Sequence, residues 1–414
     1  LKTKGNTLKR YGYLPHRGET FTIPPSFFEN SQGERLDNSV YVNGGTQVIN
    51  RVDNKLSEYM LAVYSYADRY VMNFSARLDA SNRFAQDKNK RFEPTWSVGI
   101  KWRLGNENFL LGQLWINNLD LYGSYGYQGN AVSSVSPYLT ARDGGYDASY
   151  KDYVLIVSSL PYPNLGWEKT KTYNFGVDAA FLDGRLNFTV NYFKKVSDVL
   201  SSRNLPRENG VEKAIVDGGE MTNTGYDFVI NVIPVRTKDF TWQLSLNTAV
   251  TKNKVNKNQR VNTLNDYLDG SAVVNGEAFS TFYSFKYAGL NDEDGTPTFK
   301  YMDIENGESP RDYLVKSGKF TPDFSGGLNM MFKYRNWSLY ALFNVQWGGH
   351  ARLPKLYDTD SNYGIPTPEQ NVSRDLAKRW RKAGDKTNIP SIPTSKAYIN
   401  LPTTATVASS ERRL

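Results

Sequence analysis

Apolar and polar residues alternate along several stretches of the chain. In residues 95–104, Trp96, Val98, Ile100, Trp102 and Leu104 interleave with Thr95, Ser97, Gly99, Lys101 and Arg103. Residues 172–181 set Tyr173, Phe175, Val177, Ala179 and Phe181 against Thr172, Asn174 and Asp178. Residues 240–250 set Phe240, Trp242, Leu244, Leu246 and Val250 against Thr241, Gln243, Ser245 and Asn247. Residues 337–347 set Trp337, Leu339, Ala341, Phe343, Val345 and Trp347 against Ser338, Asn344 and Gln346. Successive side chains of a strand point to opposite faces, so each stretch predicts a strand with one apolar and one polar face. Weaker alternation predicts strands at residues 56–66, 70–79, 119–127, 185–195, 222–234, 281–288, 297–303 and 323–334. The total is about twelve strands. The best helical candidate is residues 371–383, rich in Arg and Lys.

The connections alternate in length. Residues 67–68, 182–184, 235–239 and 335–336 are short, and 105–118 and 289–296 join them by parity. Residues 80–93, 128–169, 196–221, 251–280 and 304–322 are long. An antiparallel meander with small turns on one side and large loops on the other is the pattern of a membrane β-barrel. Soluble sandwiches and propellers also alternate apolar and polar residues. Three features favour the membrane reading. The predicted strands match the span of a tilted membrane strand. Aromatics stand at strand ends (Trp96 and Trp102, Tyr173 and Phe181, Trp337 and Trp347), where ring side chains meet the lipid–water boundary. The loops are long and polar, which accounts for a mean hydropathy of −0.57 without a soluble core.

Composition narrows the chemistry. The 414 residues contain no Cys, which excludes a disulfide framework, a thiolate metal site and a Cys nucleophile. With His16 and His350 the only histidines, a His-rich metal site or proton relay is disfavoured. Lys and Arg number 50 against 42 Asp and Glu, a net charge of +8 with no basic stripe, so nucleic acid is not an expected partner. No apolar run is long enough for a transmembrane helix. No Gly-x-Ser-x-Gly elbow occurs, and no enzyme activity is expected. Residues 291–295 (Asn-Asp-Glu-Asp-Gly) resemble a calcium loop but carry Leu290 and Tyr301 where an EF-hand needs acids. They read as a polar turn, with loop calcium the one cofactor left open. The basic run 374–386 reads as a solvated loop helix.

A series of motifs runs along the strand borders: Arg77-Leu-Asp-Ala-Ser-Asn-Arg-Phe84, Phe92-Glu-Pro-Thr-Trp-Ser-Val-Gly-Ile-Lys-Trp102 and Tyr125-Gly-Tyr-Gln-Gly-Asn130. Pro163-Asn-Leu-Gly-Trp-Glu-Lys-Thr170, Gly219-Glu-Met-Thr-Asn-Thr-Gly-Tyr226 and Tyr287-Ala-Gly-Leu290 continue it. Pro322-Asp-Phe-Ser-Gly-Gly327 and Arg379-Trp-Arg-Lys-Ala-Gly-Asp385 complete it. In content and order these stretches resemble the SusC/RagA family of TonB-dependent outer-membrane transporters of Bacteroidota.

The resemblance implies an all-β fold: an antiparallel transmembrane barrel of about 22 strands, of which this chain would hold about 12. It also implies a plug, contact with TonB through that plug, and a SusD-like surface lipoprotein acting as a lid. The implied function is active import of oligosaccharides or oligopeptides across the outer membrane. Residues 1–55 are expected to be an extracellular loop region, 56–347 barrel strands with loops, and 348–414 a further extracellular loop region. No TonB box or plug-like segment is visible, and no convincing strand follows Trp347. The expectation is therefore a middle-to-late barrel segment without the plug and the last strands. Asn130, Tyr146, Tyr150, Tyr153, Tyr267, Asp269 and Trp380 fall in predicted outer loops, where aromatics beside amides and carboxylates suit sugar or peptide contacts. The rival readings are a complete passive porin or membrane enzyme of about twelve strands, and a soluble sugar-binding protein.

Overall fold

The computed structural model describes residues 2–8, 13–14, 19–20, 48–82, 92–130, 132, 135, 138–147, 149–162, 165–206, 208, 211, 213–299, 310–352, 373–392 and 411–413. Two compact units result. One comprises Leu1–Met60, Ala76–Thr95 and Ala131–Trp167; the other comprises Leu61–Ser75, Trp96–Asn130 and Glu168–Leu414.

The dominant element is an eleven-stranded sheet. Its strands are β1 (Lys2–Leu8), β2 (Val48–Tyr66), β3 (Tyr70–Ser81), β4 (Phe92–Arg103), β5 (Ile116–Asn130) and β6 (Glu168–Phe181). They continue as β7 (Leu186–Asn204), β8 (Lys213–Arg236), β9 (Phe240–Lys257), β10 (Phe324–Tyr334) and β11 (Trp337–Trp347). The strands neighbour one another in chain order, and the registered pairs are antiparallel. The sheet is open, with β1 and β11 at its two ends.

The strand pattern differs from the sequence expectation in several places. Residues 128–169 and 348–414, expected as loops, hold the short paired strands Thr140–Asp147 with Asp152–Ser159 and His350–Arg352 with Glu411–Arg413. Residues 2–8, expected in a loop, pair with β2 from Asn54 back to Val48. The strands expected at 281–288 and 297–303 lie outside the large sheet. Thr281–Phe285 pairs with Leu314–Lys319, and Tyr287–Leu290 pairs with Pro297–Phe299. The helix expected at 371–383 is a five-residue 3-10 turn, Arg374–Lys378, among the described residues.

Local chemistry explains the tight turns. Ala67 and Asp68 both have positive φ (51° and 54°), and the Arg69 amide donates to the Tyr66 carbonyl at 3.0 Å. Left-handed backbone at both central residues matches the twist of the flanking strands. Leu182, Asp183 and Gly184 make the β6–β7 turn in the same region of backbone space.

Register fixes what each face presents. One row across the sheet reads Leu119, Ala179, Phe188, Ile230, Leu246, Leu328, Phe343. On the other face a row reads Lys101, Tyr122, Gly176, Asn191, Asp227, Ala249, Ser325, Gln346. In β4, exposure follows the opposite rule from a water-soluble sheet. Trp96, Val98, Ile100 and Trp102 are exposed, while Ser97, Gly99, Lys101 and Arg103 between them are half-buried. An apolar face turned outward has a natural solvent only in hydrocarbon. Close packing on the polar face uses glycine: a Cβ at Gly176 would collide with the Tyr122 ring from the neighbouring strand.

Candidate functional site

The polar face is held by side chains bonding across strands. Lys101 Nζ lies 3.4 Å from Asp120 Oδ2 and stands 5.9 Å from the Tyr122 ring centre. Asn174 donates to Ser124 Oγ at 3.1 Å, Ser245 donates to Asn231 Oδ1 at 2.6 Å, and the Ser75 and Ser97 hydroxyls meet at 2.6 Å. A hollow toward the short-turn end is lined by Asn187, Asn231, Gln243 and Ser245 together with apolar Val232, Leu244, Met330 and Met331. Among the described residues this face mixes amides and hydroxyls with the charged Lys101, Asp120 and Asp227, groups that hydrogen-bond solutes or water.

On the long-loop side, residues 258–299 and 310–323 build a small packed cap tied to β9. Its helix, Leu264–Asp269, starts at Thr263, whose hydroxyl accepts from the Asp266 amide while the Asp266 carboxylate accepts from the Thr263 amide. Gly270 closes the helix in the left-handed region. Tyr267, Ala272, Val274, Tyr283, Phe285, Tyr313 and Leu314 form the cap's core. Phe282 is 0% exposed and stacks on Phe320 at 4.6 Å. The Phe279 amide donates to Asn253 Oδ1 at 2.7 Å, which ties the cap to β9.

Arg352, just beyond β11, locks the cap from outside its sequence. Its guanidinium sits 4.6 Å from the Phe282 ring and donates to Ser284 Oγ (2.9 Å), the Leu268 carbonyl (2.8 Å) and the Tyr283 carbonyl (2.6 Å). The sequence carried no local signal for this role, because its partners lie 68 to 84 residues away.

Burial alone would raise the Asp266 carboxyl, but the Thr263 amide and hydroxyl, Arg260 and Ser271 outweigh it and hold the group below the usual carboxylate range. Burial pushes the Tyr283, Tyr287 and Tyr313 hydroxyls up.

The seven loop residues singled out by sequence stand in different local settings. Asn130 donates to Glu168 Oε2 at 2.9 Å, and the other Glu168 oxygen accepts from the Leu200 amide, so Asn130 secures β5 to β6. Tyr146 and Tyr153 are cross-strand partners in a hairpin of Thr140–Asp147 and Asp152–Ser159. Tyr150 stands at its tip, 77% exposed. Tyr267 is buried in the cap, edge-on to Tyr283 at 5.2 Å. Asp269 is exposed and accepts from the Ser271 amide. Trp380 is half-buried against Gly295, and its amide donates to the Ile389 carbonyl at 2.9 Å.

The turn at 291–296 closes on itself. Asn291 Oδ1 accepts from the Glu293 amide, and Asp294 Oδ1 accepts from the Thr296 amide and hydroxyl. Those bonds from Thr296 hold the Asp294 carboxyl low. Among the described residues, no three His, Asp or Glu side chains gather to hold a metal.

Residues 5–372 match the family described as TonB dependent receptor-like, beta-barrel. TonB-dependent receptor P3 of Formosa agariphila is 30% identical over 356 residues, covering 79% of this chain and 34% of that protein. TonB-dependent receptor SusC of Bacteroides thetaiotaomicron is 29% identical over 308 residues, covering 66% and 29%. The chain thus spans about a third of the length of these curated relatives. Among solved structures, the RagAB peptide importer in its closed-closed state superposes with a TM-score of 0.71 at 23% identity. That likeness covers 92% of this chain and 42% of the other, and it shows a shared fold. The named relatives are receptors rather than enzymes. An outward apolar face, long antiparallel strands and a family match across most of its length place this chain in the TonB-dependent receptor β-barrel family of the outer membrane.

Proposed function

We propose that the protein is an energised importer of oligosaccharides or oligopeptides, of the SusC and RagA kind. In this reading the chain supplies barrel wall, lumen lining and outer loops. A SusD-like surface lipoprotein covers the outer loops, and TonB acts through a plug outside these 414 residues. The observation that carries the proposal is the division of the sheet: β4 exposes its apolar residues, and the opposite face carries a row with Lys101, Tyr122, Asn191, Asp227, Ser325 and Gln346 that is left to line a passage. The similarity to SusC and to the RagAB fold supports the choice of cargo class. Among the outer-loop residues, exposed Tyr150 and Asp269 are the proposed contacts for cargo. Tyr267 packs inside the cap that presents Asp269, and Asn130 ties β5 to β6.

The test is uptake of fluorescent oligosaccharides and oligopeptides by cells carrying or lacking the full-length gene, in the presence and absence of TonB. Uptake of one class that needs both the gene and TonB is the expected result. Gene-dependent uptake that persists without TonB would establish a passive porin instead. Co-purification of the full-length protein from membranes tests the lid: a stoichiometric surface lipoprotein is expected, and its consistent absence would remove that partner.

A further inference from the structure

The turn between β4 and β5 is unlike its neighbours. The other connections on that side, residues 67–69, 182–185, 237–239 and 335–336, are two to four residues long, whereas this one runs through residues 104–115. It is a constructed element. Its backbone makes consecutive turns, with the amides of Glu107, Leu110 and Gln113 donating to the carbonyls of Leu104, Glu107 and Leu110.

Its root is polar and tied down. The Glu107 carboxylate, 10% exposed, accepts from Tyr70 OH (2.7 Å), Trp102 Nε1 (2.9 Å) and Arg69 Nη1 (3.3 Å). Arg69 also donates to Asn108 Oδ1 at 2.6 Å, and Asn106 donates to the Asp68 carbonyl at 2.8 Å. Three donors on one shielded carboxylate fix the direction in which the turn leaves the sheet.

Its tip is apolar and bare. Phe109, Leu111 and Trp115 are exposed, and Leu114 is 91% exposed. The single charged side chain in residues 107–115 is Glu107, and that one points into the root. The tip also runs on from the lipid-facing surface. Trp115 stacks on Phe181 at 5.5 Å, Phe181 packs on Phe188 at 5.9 Å, and the Leu182 amide donates to the Trp115 carbonyl. Phe188 belongs to the apolar row described above.

We propose that residues 107–116 are an interfacial membrane anchor, seating Phe109, Leu111 and Leu114 in the phospholipid monolayer on the short-turn side. Apolar groups on a rigid polar root, flanked by Trp at the boundary, suit insertion to the depth of the headgroup–acyl border. The occupant is lipid because the tip is continuous with a face that already meets lipid.

The 414 residues contain no Cys, so Leu114→Cys places a single environment-sensitive fluorophore in this region. The full-length protein, with any cysteine elsewhere replaced, is reconstituted into phosphatidylethanolamine–phosphatidylglycerol vesicles. Asp183→Cys, in the neighbouring short turn, is the reference. Quenching of the Leu114 label by shallow doxyl-lipid should exceed that at position 183 by about twofold or more, with weaker quenching by iodide. Equal iodide quenching at both sites would place the tip in water and overturn the proposal. Emission protected from both quenchers would show a protein covering the tip, and would overturn it equally. Leu111→Cys reads the same surface if the first variant loses its heat-modifiable migration.

Discussion

The sheet wall and the loop cap treat the same residue types in opposite ways. In the wall, Trp96, Ile100, Phe175 and Trp337 are exposed, while polar Asp120 and Thr172 are shielded at 7% exposed each. In the cap, Phe282, Tyr283 and Phe285 are buried and the carboxylates lie outside or at the rim. Hydrophobic burial drives the cap as it drives any water-soluble domain. The wall gains nothing comparable, since lipid tails are as apolar as its side chains; its strands are bound by backbone ladders and polar cross-links. One polypeptide therefore carries two stability rules, divided by solvent.

The largest effect expected from breaking this contrast is at Phe282. Phe282→Ala removes a fully buried ring and should destabilise the cap by about 3–5 kcal/mol. Limited proteolysis should then cut within residues 258–323 while the wall keeps its heat-modifiable migration. Simultaneous loss of both would show that cap and wall fold as one unit. Next is Ile100→Arg on the apolar face, expected to cost about 2–4 kcal/mol in urea unfolding from vesicles. Asn191→Arg on the polar face should cost about 1 kcal/mol or less, and equal losses would abolish the distinction between faces.

Gly176→Ala should follow, at about 1–3 kcal/mol, because the new methyl meets Tyr122. The same substitution in a Tyr122→Ala background should be much milder; persistence of the full loss would mean strain arises elsewhere. The smallest effect is at the helix start, where Thr263→Ala should cost about 1 kcal/mol, read as faster cleavage of the cap. Acid should mimic it. The folded Asp266 carboxyl titrates below its unfolded value of about 3.9. Its stabilisation is complete above that value and is lost as pH falls through the lower folded one. Cap cleavage that stays constant down to about pH 3 would contradict this.

The wall was largely legible in the sequence because a period of two is local: ten of its eleven strands follow from alternation alone. The first was missed, since Lys2–Leu8 (Lys-Thr-Lys-Gly-Asn-Thr-Leu) has almost no apolar face. The strands at 281–285 and 297–299 were recognised as strands but assigned to the wrong sheet. Every residue of Thr281–Phe285 is buried, on both faces, and periodicity says nothing of which solvent or partner a strand will meet. The outer-loop residues were the least legible. Tyr150 and Tyr267 are the same amino acid in similar polar surroundings, yet one is exposed and the other lies in a core completed by Tyr313 and braced by Arg352. Those partners come from more than forty residues away, beyond any local pattern.

Strand β11 carries a consequence for assembly. Among the described residues it pairs with β10 alone, and Trp337, Leu339, Tyr340, Leu342 and Trp347 are exposed on its two faces. In hydrocarbon its outer row of amides and carbonyls would be unsatisfied at several kcal/mol per group. A membrane wall satisfies such an edge by hydrogen-bonding it to a further strand.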